Sequence, residues 1–341
     1  MRALANVVIH SSQFPENVRR DLLESLRSRQ INHKFHYDSL KQTQKWLALH
    51  QAYSPSRTDE DCARTYDRSF AEVASRISSG SAHIIGLGCG GGQKDTRLLR
   101  LLRGRGKRVF YTPSDVSTAM VLVARQAAME ALPSENCFPF VCDLATAEDL
   151  PVLLEANQAK AALPAPSSRG EGIGSAQRLI TFFGMIPNFE PQIILPKLAA
   201  LLSAQDLLLL SANLSPGPDY EGGLKRIMPL YDNALTRDWL MTFLLDLGVE
   251  GGDGTLEFRI EEAPPGSGLK RVAAHFEFQR SRQIEVDEQR FEFRVGESVR
   301  LFFSYRHTPG LVRSMLAEYG LRVLDQWITR SEEEGVFLVG R

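Results

Sequence analysis

Apolar residues recur along the chain at two different periods, and the change from one to the other divides it. Between residues 16 and 50 they fall at helical spacing, with Val18, Leu22, Leu23 and Leu26 on one face, followed by Leu40, Trp46 and Leu47. This predicts helices parted by the polar stretch from Asn32 to Asp38. Residues 54–60 read as a turn into a capped helix, because Thr58 followed by Glu60 and Asp61 suits a helix N-terminus. That helix is expected to run to about Ile77 and to stop at Ser78-Ser79-Gly80.

Beyond residue 80 short apolar runs alternate with amphipathic ones. Strands are predicted at 83–87, 108–112, 137–142, 179–183 and 206–212, with helices at 96–102, 116–132 and 193–202. Such alternation implies βαβ units, a parallel sheet and right-handed crossovers. Residues 161–177, rich in Pro, Ser, Gly and Ala, read as a surface loop within this sheet domain. From 215 to 300 the alternation is lost: a helix at 231–247 precedes strands at 255–259, 271–280, 283–286 and 291–295, a second α+β lobe. A helix at 309–319 and strands at 322–328 and 335–340 then close the chain as an antiparallel hairpin on the first sheet. The expected division is 58–214 with 301–341 for the sheet domain, and 1–57 with 215–300 for the lobe.

Composition narrows the classes of partner. Of 341 residues 43% are hydrophobic, ample for a packed core, and 40 Lys and Arg against 41 Asp and Glu leave a formal charge of −1. That balance gives no global attraction to nucleic acid or to an anionic membrane. No run approaches the roughly 20 apolar residues of a membrane helix, and the apolar run before His10 is too short for a signal peptide. Cys62, Cys89, Cys137 and Cys142 lack metal-ligand spacing, so they read as reduced thiols of a cytoplasmic protein with no metal.

The sharpest local signal is Ile85-Gly86-Leu87-Gly88-Cys89-Gly90-Gly91-Gly92-Gln93-Lys94, which follows a predicted strand and opens a helix. Glycines there allow tight turns and close backbone approach, and the helix N-terminus offers unpaired N–H groups to a ligand. Two registers fit. Gly86, Gly88 and Gly91 satisfy the dinucleotide pattern G-x-G-x-x-G, and Gly88, Gly90 and Gly92 give G-x-G-x-G, which looks like motif I of S-adenosylmethionine (SAM) methyltransferases. Asp115 falls just after the second predicted strand, where a carboxylate can accept hydrogen bonds from a ribose diol. Asp143 falls just after the third, completing the outline of one nucleoside pocket.

The flanking segments decide between the registers by resemblance. Lys34-Phe35-His36-Tyr37-Asp38 and Tyr53-Ser54-Pro55-Ser56-Arg57-Thr58 resemble the N-terminal lobe of the histidine-specific SAM-dependent methyltransferase family. The likeness continues through Lys94 and Thr96-Arg97, Asp115-Val116-Ser117, Cys142-Asp143, the stretch from Phe182 to Phe189, Tyr231-Asp232-Asn233, Gly296-Glu297 and Ser304. It implies a class I methyltransferase fold, Rossmann-like, with a substrate lobe. It also implies that Gly88, Gly90, Lys94, Asp115 and Asp143 hold SAM, with Lys94 toward the methionine carboxylate. Tyr37, Asn188 and Ser304 are implied to line a pocket for a small-molecule acceptor, Tyr37 and Asn188 orienting its amine.

Three departures bear on the acceptor. Gly86 stands where an acidic residue usually precedes the first motif glycine, Ala52 stands at a family tyrosine, and Phe302 stands where the family glutamate grips histidine. A phenyl ring cannot replace a carboxylate that binds imidazole N–H groups. The expectation is therefore an acceptor other than histidine, with an apolar or aromatic side chain facing Phe302, Phe303 and Ala52. A SAM-binding protein that has lost activity, and an NAD-dependent oxidoreductase using the Gly86 register, are the rival readings.

Overall fold

The computed structural model describes residues 5–161 and 176–341. Its strands are β1 (Val8–Ile9), β2 (Ser81–Leu87), β3 (Arg108–Asp115), β4 (Phe140–Val141), β5 (Gln177–Phe183), β6 (Leu207–Asn213), β7 (Gly254–Glu262), β8 (Lys270–Phe278), β9 (Arg282–Val286), β10 (Gln289–Phe293), β11 (Ser298–Arg306), β12 (Arg322–Ile328) and β13 (Glu334–Gly340). Eight form one sheet in the order β1-β4-β3-β2-β5-β6-β13-β12. Strands β1 to β6 pair in parallel, and β13 runs antiparallel to both β6 and β12. This is the sheet with a closing hairpin expected of a class I methyltransferase.

The central strands are buried on both faces, which is why they read as unbroken apolar runs rather than alternating ones. Tyr66 and Phe70 of helix Glu60–Arg76 pack on one face with Leu98, Leu99 and Leu209. Leu195 and Leu198 of helix Pro191–Leu201 pack on the other with Phe182, Val312 and Phe337. The Glu60–Arg76 helix is capped by Asp59, whose carboxylate accepts from the Asp61 N–H at 2.8 Å, and not by Thr58, which ends a separate turn, Pro55–Thr58.

Two local differences from the sequence pattern have clear causes. The strand expected at 137–142 shrinks to Phe140–Val141, because Pro139 has no N–H for the ladder, and Cys137 makes only an isolated bridge to Tyr111. Outside it lies β1, whose two residues are too short a run to signal a strand. The loop expected at 161–177 falls almost wholly outside the described residues, and a helix, Leu150–Ala161, precedes it where none was predicted.

The second lobe is an antiparallel sheet, β11-β8-β7, with the hairpin β9–β10 and helices Pro15–Ser28, Leu40–Tyr53 and Ala234–Asp246 around a core that includes Leu26, Leu240, Phe243, Phe276 and Phe293. The expected boundary at residue 301 cuts through β11, which pairs with β8 in this lobe. The alternation that would have revealed β11 is broken by a bulge between Arg300 and Phe302. Val299 and Leu301 face the lobe core, the phase then shifts, and Phe302 faces it too, while Phe303 and Tyr305 pack on the opposite side. Likewise β1 belongs to the large sheet although it lies in the first 57 residues. Among the described residues no helix is long and apolar enough to cross a membrane.

Candidate active site

Strand β2 lies between β3 and β5, so the chain leaves it in opposite directions for the two halves of the sheet. Open α/β sheets bind ligands at this reversal, outside the carboxyl ends of the strands. Here a cleft of about 880 Å³ opens between the strand ends and the lobe.

The glycine loop floors one end. Gly88 (φ +62°) and Gly90 (φ +51°) hold left-handed conformations, and a Cβ on Gly88 would lie 2.6 Å from the Met185 side chain. The Cys89 N–H donates to the Ser114 carbonyl at 2.9 Å, and the Gly90 N–H donates to the Asp115 carboxylate at 3.0 Å. The other Asp115 oxygen accepts from the Ser117 N–H at 3.0 Å. Burial pushes the Asp115 pKa up, and these backbone donors work against that rise. Asp143 accepts from the Ala145 N–H at 2.9 Å through Oδ1, while its buried Oδ2 has no hydrogen-bond partner. Lys34, itself paired with Asp21, stands 3.4 Å from that free oxygen.

An acid stands beside Gly86 in space. Asp95, 3% exposed, projects over Gly86 into the position a Cβ there would take. Tyr111 donates to it at 2.7 Å and Thr181 at 2.8 Å. Lys94 lies on the cleft wall, but its ammonium donates to the Tyr66 hydroxyl at 2.7 Å and lies 3.7 Å from Glu334, which Tyr66 also bonds. Its charge is therefore already balanced within the protein. Burial pushes the Glu334 carboxyl upward, but Lys94 and the bonds from Tyr66 and Cys62 outweigh it and hold the pKa below its ordinary value.

The other end of the cleft is aromatic. Tyr37 contacts Trp46 and Trp239 with ring centroids 5.9 and 5.5 Å away, and Trp239 meets the Phe302 ring edge-on at 5.7 Å. His33 stacks on the far side of Phe302 at 4.9 Å. Burial and the charge of Asp115 push the Tyr37 phenol upward, with the Trp46 indole opposing, so it remains protonated at neutral pH. Asn188 ends the turn Ile186–Asn188 after β5, half-buried, with no partner for its side-chain amide among the described residues. Ser304 accepts from the Tyr231 hydroxyl at 2.9 Å, and Arg306 donates to Tyr231 at 3.0 Å.

All nine expected site residues, Gly88, Gly90, Lys94, Asp115, Asp143, Tyr37, Asn188, Phe302 and Ser304, therefore border one cleft. Ala52 does not: it is exposed, and its neighbour Tyr53 lines the cleft instead. Trp46, Trp239, Asp95 and Glu334 went unanticipated. They reach the cleft through long-range packing and carry no local motif.

The sequence model of the family described as "Histidine-specific methyltransferase, SAM-dependent" matches residues 18–235 and 257–341. The chain belongs to this family. Phe302, read from the sequence as a departure from this family, stands among the rings of Trp239, His33 and Tyr231. Solved structures with a similar course include magnesium protoporphyrin IX methyltransferase from Synechocystis PCC 6803 with bound SAH, at 13% identity and TM-score 0.44, covering 89% of this chain and 95% of that one. The CcbJ methyltransferase from Streptomyces caelestis has 11% identity and TM-score 0.38, with 81% and 88% covered. Mitomycin 7-O-methyltransferase has 12% identity and TM-score 0.40, with 97% and 69% covered. At these values they add nothing to the fold, which the strand order already defines. No curated protein matches the chain. Among the described residues no group of His, Cys, Asp and Glu is arranged to hold a metal ion.

Proposed function

We propose that this protein transfers the methyl group of SAM to an amine of an amino acid, or of a small molecule derived from one, whose side chain is apolar or aromatic and is not imidazole. The observation that carries the reading is the Phe302 environment. Phe302 is 7% exposed, ringed by Trp239, His33 and Tyr231, and offers no acceptor to imidazole N–H groups. Burying those donors unpaired would cost about 1–3 kcal/mol each.

The residues present fit SAM. Gly88 and Gly90 leave room for close approach, Asp115 keeps acceptor capacity for a ribose diol, and Asp143 Oδ2, ion-paired with Lys34 but accepting no hydrogen bond, suits an amino group of the base. Lys94 and Asp95 stand near the loop, and to meet a zwitterionic methionine end Lys94 would turn from its Tyr66 and Glu334 partners. When bound, SAM supplies a methyl group activated by its sulfonium. The chain must then align a neutral amine and exclude water. Tyr37, held as a phenol, and the Asn188 amide are the groups that orient the nitrogen lone pair. The amine proton passes to solvent, since the buried phenol is a poor base.

The test is calorimetry with SAM followed by a tritiated-methyl screen over amino acids. Transfer to aromatic or apolar amino acids with none to histidine is the expected result. Histidine as the best acceptor would overturn the reading, and SAM binding without transfer to any amine would mark a protein that has lost its activity.

A further inference from the structure

Beyond Phe302 the cleft ends in a corner formed by Gln30, Asn32, His33 and Arg300. Each of the three uncharged residues has its acceptor atom occupied from within the protein. Gln30 Oε1 accepts from Arg300 at 2.7 Å, Asn32 Oδ1 accepts from the Lys34 N–H at 3.0 Å, and His33 Nε2 accepts from the Phe303 N–H at 3.2 Å. That last bond fixes the neutral imidazole as the tautomer with its proton on Nδ1. His33 Nδ1 is buried and has no partner, and the side-chain nitrogens of Gln30 and Asn32 have none among the described residues.

The fourth group is a cation without an ion pair. Arg300 lies over the Phe303 ring at 5.0 Å, beside Arg271 at 4.8 Å from the same ring, and no carboxylate stands within 4.0 Å of it among the described residues. The nearest acids, Glu190 and Glu261, are engaged by Arg271 at 3.0 and 3.2 Å, and Tyr305 and His275 also bond them. The corner thus presents donors and a guanidinium with no carboxylate in direct contact, Arg271 and Arg300 together being balanced by Glu190 and Glu261. Asparagine, glutamine, histidine and arginine so arranged complement an oxyanion.

We infer that this corner binds an anionic oxygen group, a carboxylate or a phosphate, carried by the acceptor at the end remote from the methylated amine. The Trp239 and Phe302 rings lie between the corner and Tyr37, so the body of the acceptor that spans them is apolar and flat. This rests on the amine-methylation reading and adds a second recognition point to it. His33 and Arg300 then set specificity at an end of the cleft where Phe302 offers no hydrogen bond of its own.

The experiment uses the full chain loaded with S-adenosylhomocysteine and titrates phenylalanine, para-carboxyphenylalanine and O-phosphotyrosine by calorimetry. At least one anionic analogue is expected to bind about tenfold or more tightly than phenylalanine, as a charged hydrogen bond implies. Which of the two binds better separates carboxylate from phosphate. Arg300→Met, and separately His33→Phe, which retains the stacking, are expected to bring that ratio toward unity. Equal affinity for all three, no binding of any, or a ratio untouched by both substitutions would overturn the inference. Turnover of the same compounds is measured alongside. Preferential binding of an anionic analogue without methylation would sink the amine reading alone, and methylation of phenylalanine as efficient as that of the analogues would sink the anion corner alone.

Discussion

The two ends of the cleft are built on different principles. The end proposed for the cofactor is made of backbone: Gly88 and Gly90 turn at the end of β2, and Asp115 and Asp143 lie at the ends of successive strands, each within a few residues of the strand that carries it. The acceptor end is made of side chains from four separated segments, meeting as Tyr37, Trp46, Asn188, Trp239 and Phe302. A backbone-built end tolerates little substitution and serves a fixed ligand. An end built from packed side chains changes its ligand by changing rings. The two ends come close where a Cβ on Gly90 would lie 3.2 Å from the Trp46 indole.

Substitutions should separate these ends. The largest effect is expected from Gly88→Val, which places a branched side chain at φ +62° against Met185 and should reduce S-adenosylhomocysteine affinity by about a hundredfold or more in calorimetry. Affinity close to wild type would break the assignment of this loop. Next is Asn188→Ala, expected to lower turnover by about a hundredfold while S-adenosylhomocysteine affinity stays within about threefold. Unchanged turnover would remove Asn188 from the site. Phe302→Ala should cost about 2–3 kcal/mol of stability, at the low end for a buried ring because one side faces the cleft, and should raise the acceptor KM with cofactor affinity intact. Denaturant melts and steady-state kinetics would show both.

The last effect concerns protons and is read as a slope. Burial lowers the pKa of His36 from 6.5 to about 4, and its Nε2–H donates to the Leu301 carbonyl at 2.6 Å. The folded protein therefore favours neutral His36. This contribution is fully present above 6.5 and is lost as the pH falls toward about 4. Across that window His36→Gln should flatten the stability-against-pH slope by up to about 1.4 kcal/mol per unit. An unaltered slope in urea melts would show that His36 takes up no proton on unfolding there.

The sheet was legible in the sequence because its strands are buried on both faces and its cofactor residues sit next to their strands. The βα alternation, the closing hairpin and the positions of Gly88, Asp115 and Asp143 follow from spacing alone. The acceptor end was legible only through resemblance, since no local pattern brings residues 37, 188 and 302 together. Asp95 shows the limit well. Gly86 read as the loss of an acid, yet a carboxylate nine residues later in the chain occupies the same place, held by Tyr111 and Thr181. Ala52 shows it in the opposite sense: a departure in sequence that the cleft never meets.

The bulge in β11 has a consequence for how such a site changes over time. It makes Leu301 an extra residue between Arg300, opposite His275, and Phe302, opposite Ala274. A single-codon deletion of that residue would restore plain alternation and leave Phe302 and Ser304 on the face they now occupy. The length of this strand and the identity of the rings it presents can therefore vary independently.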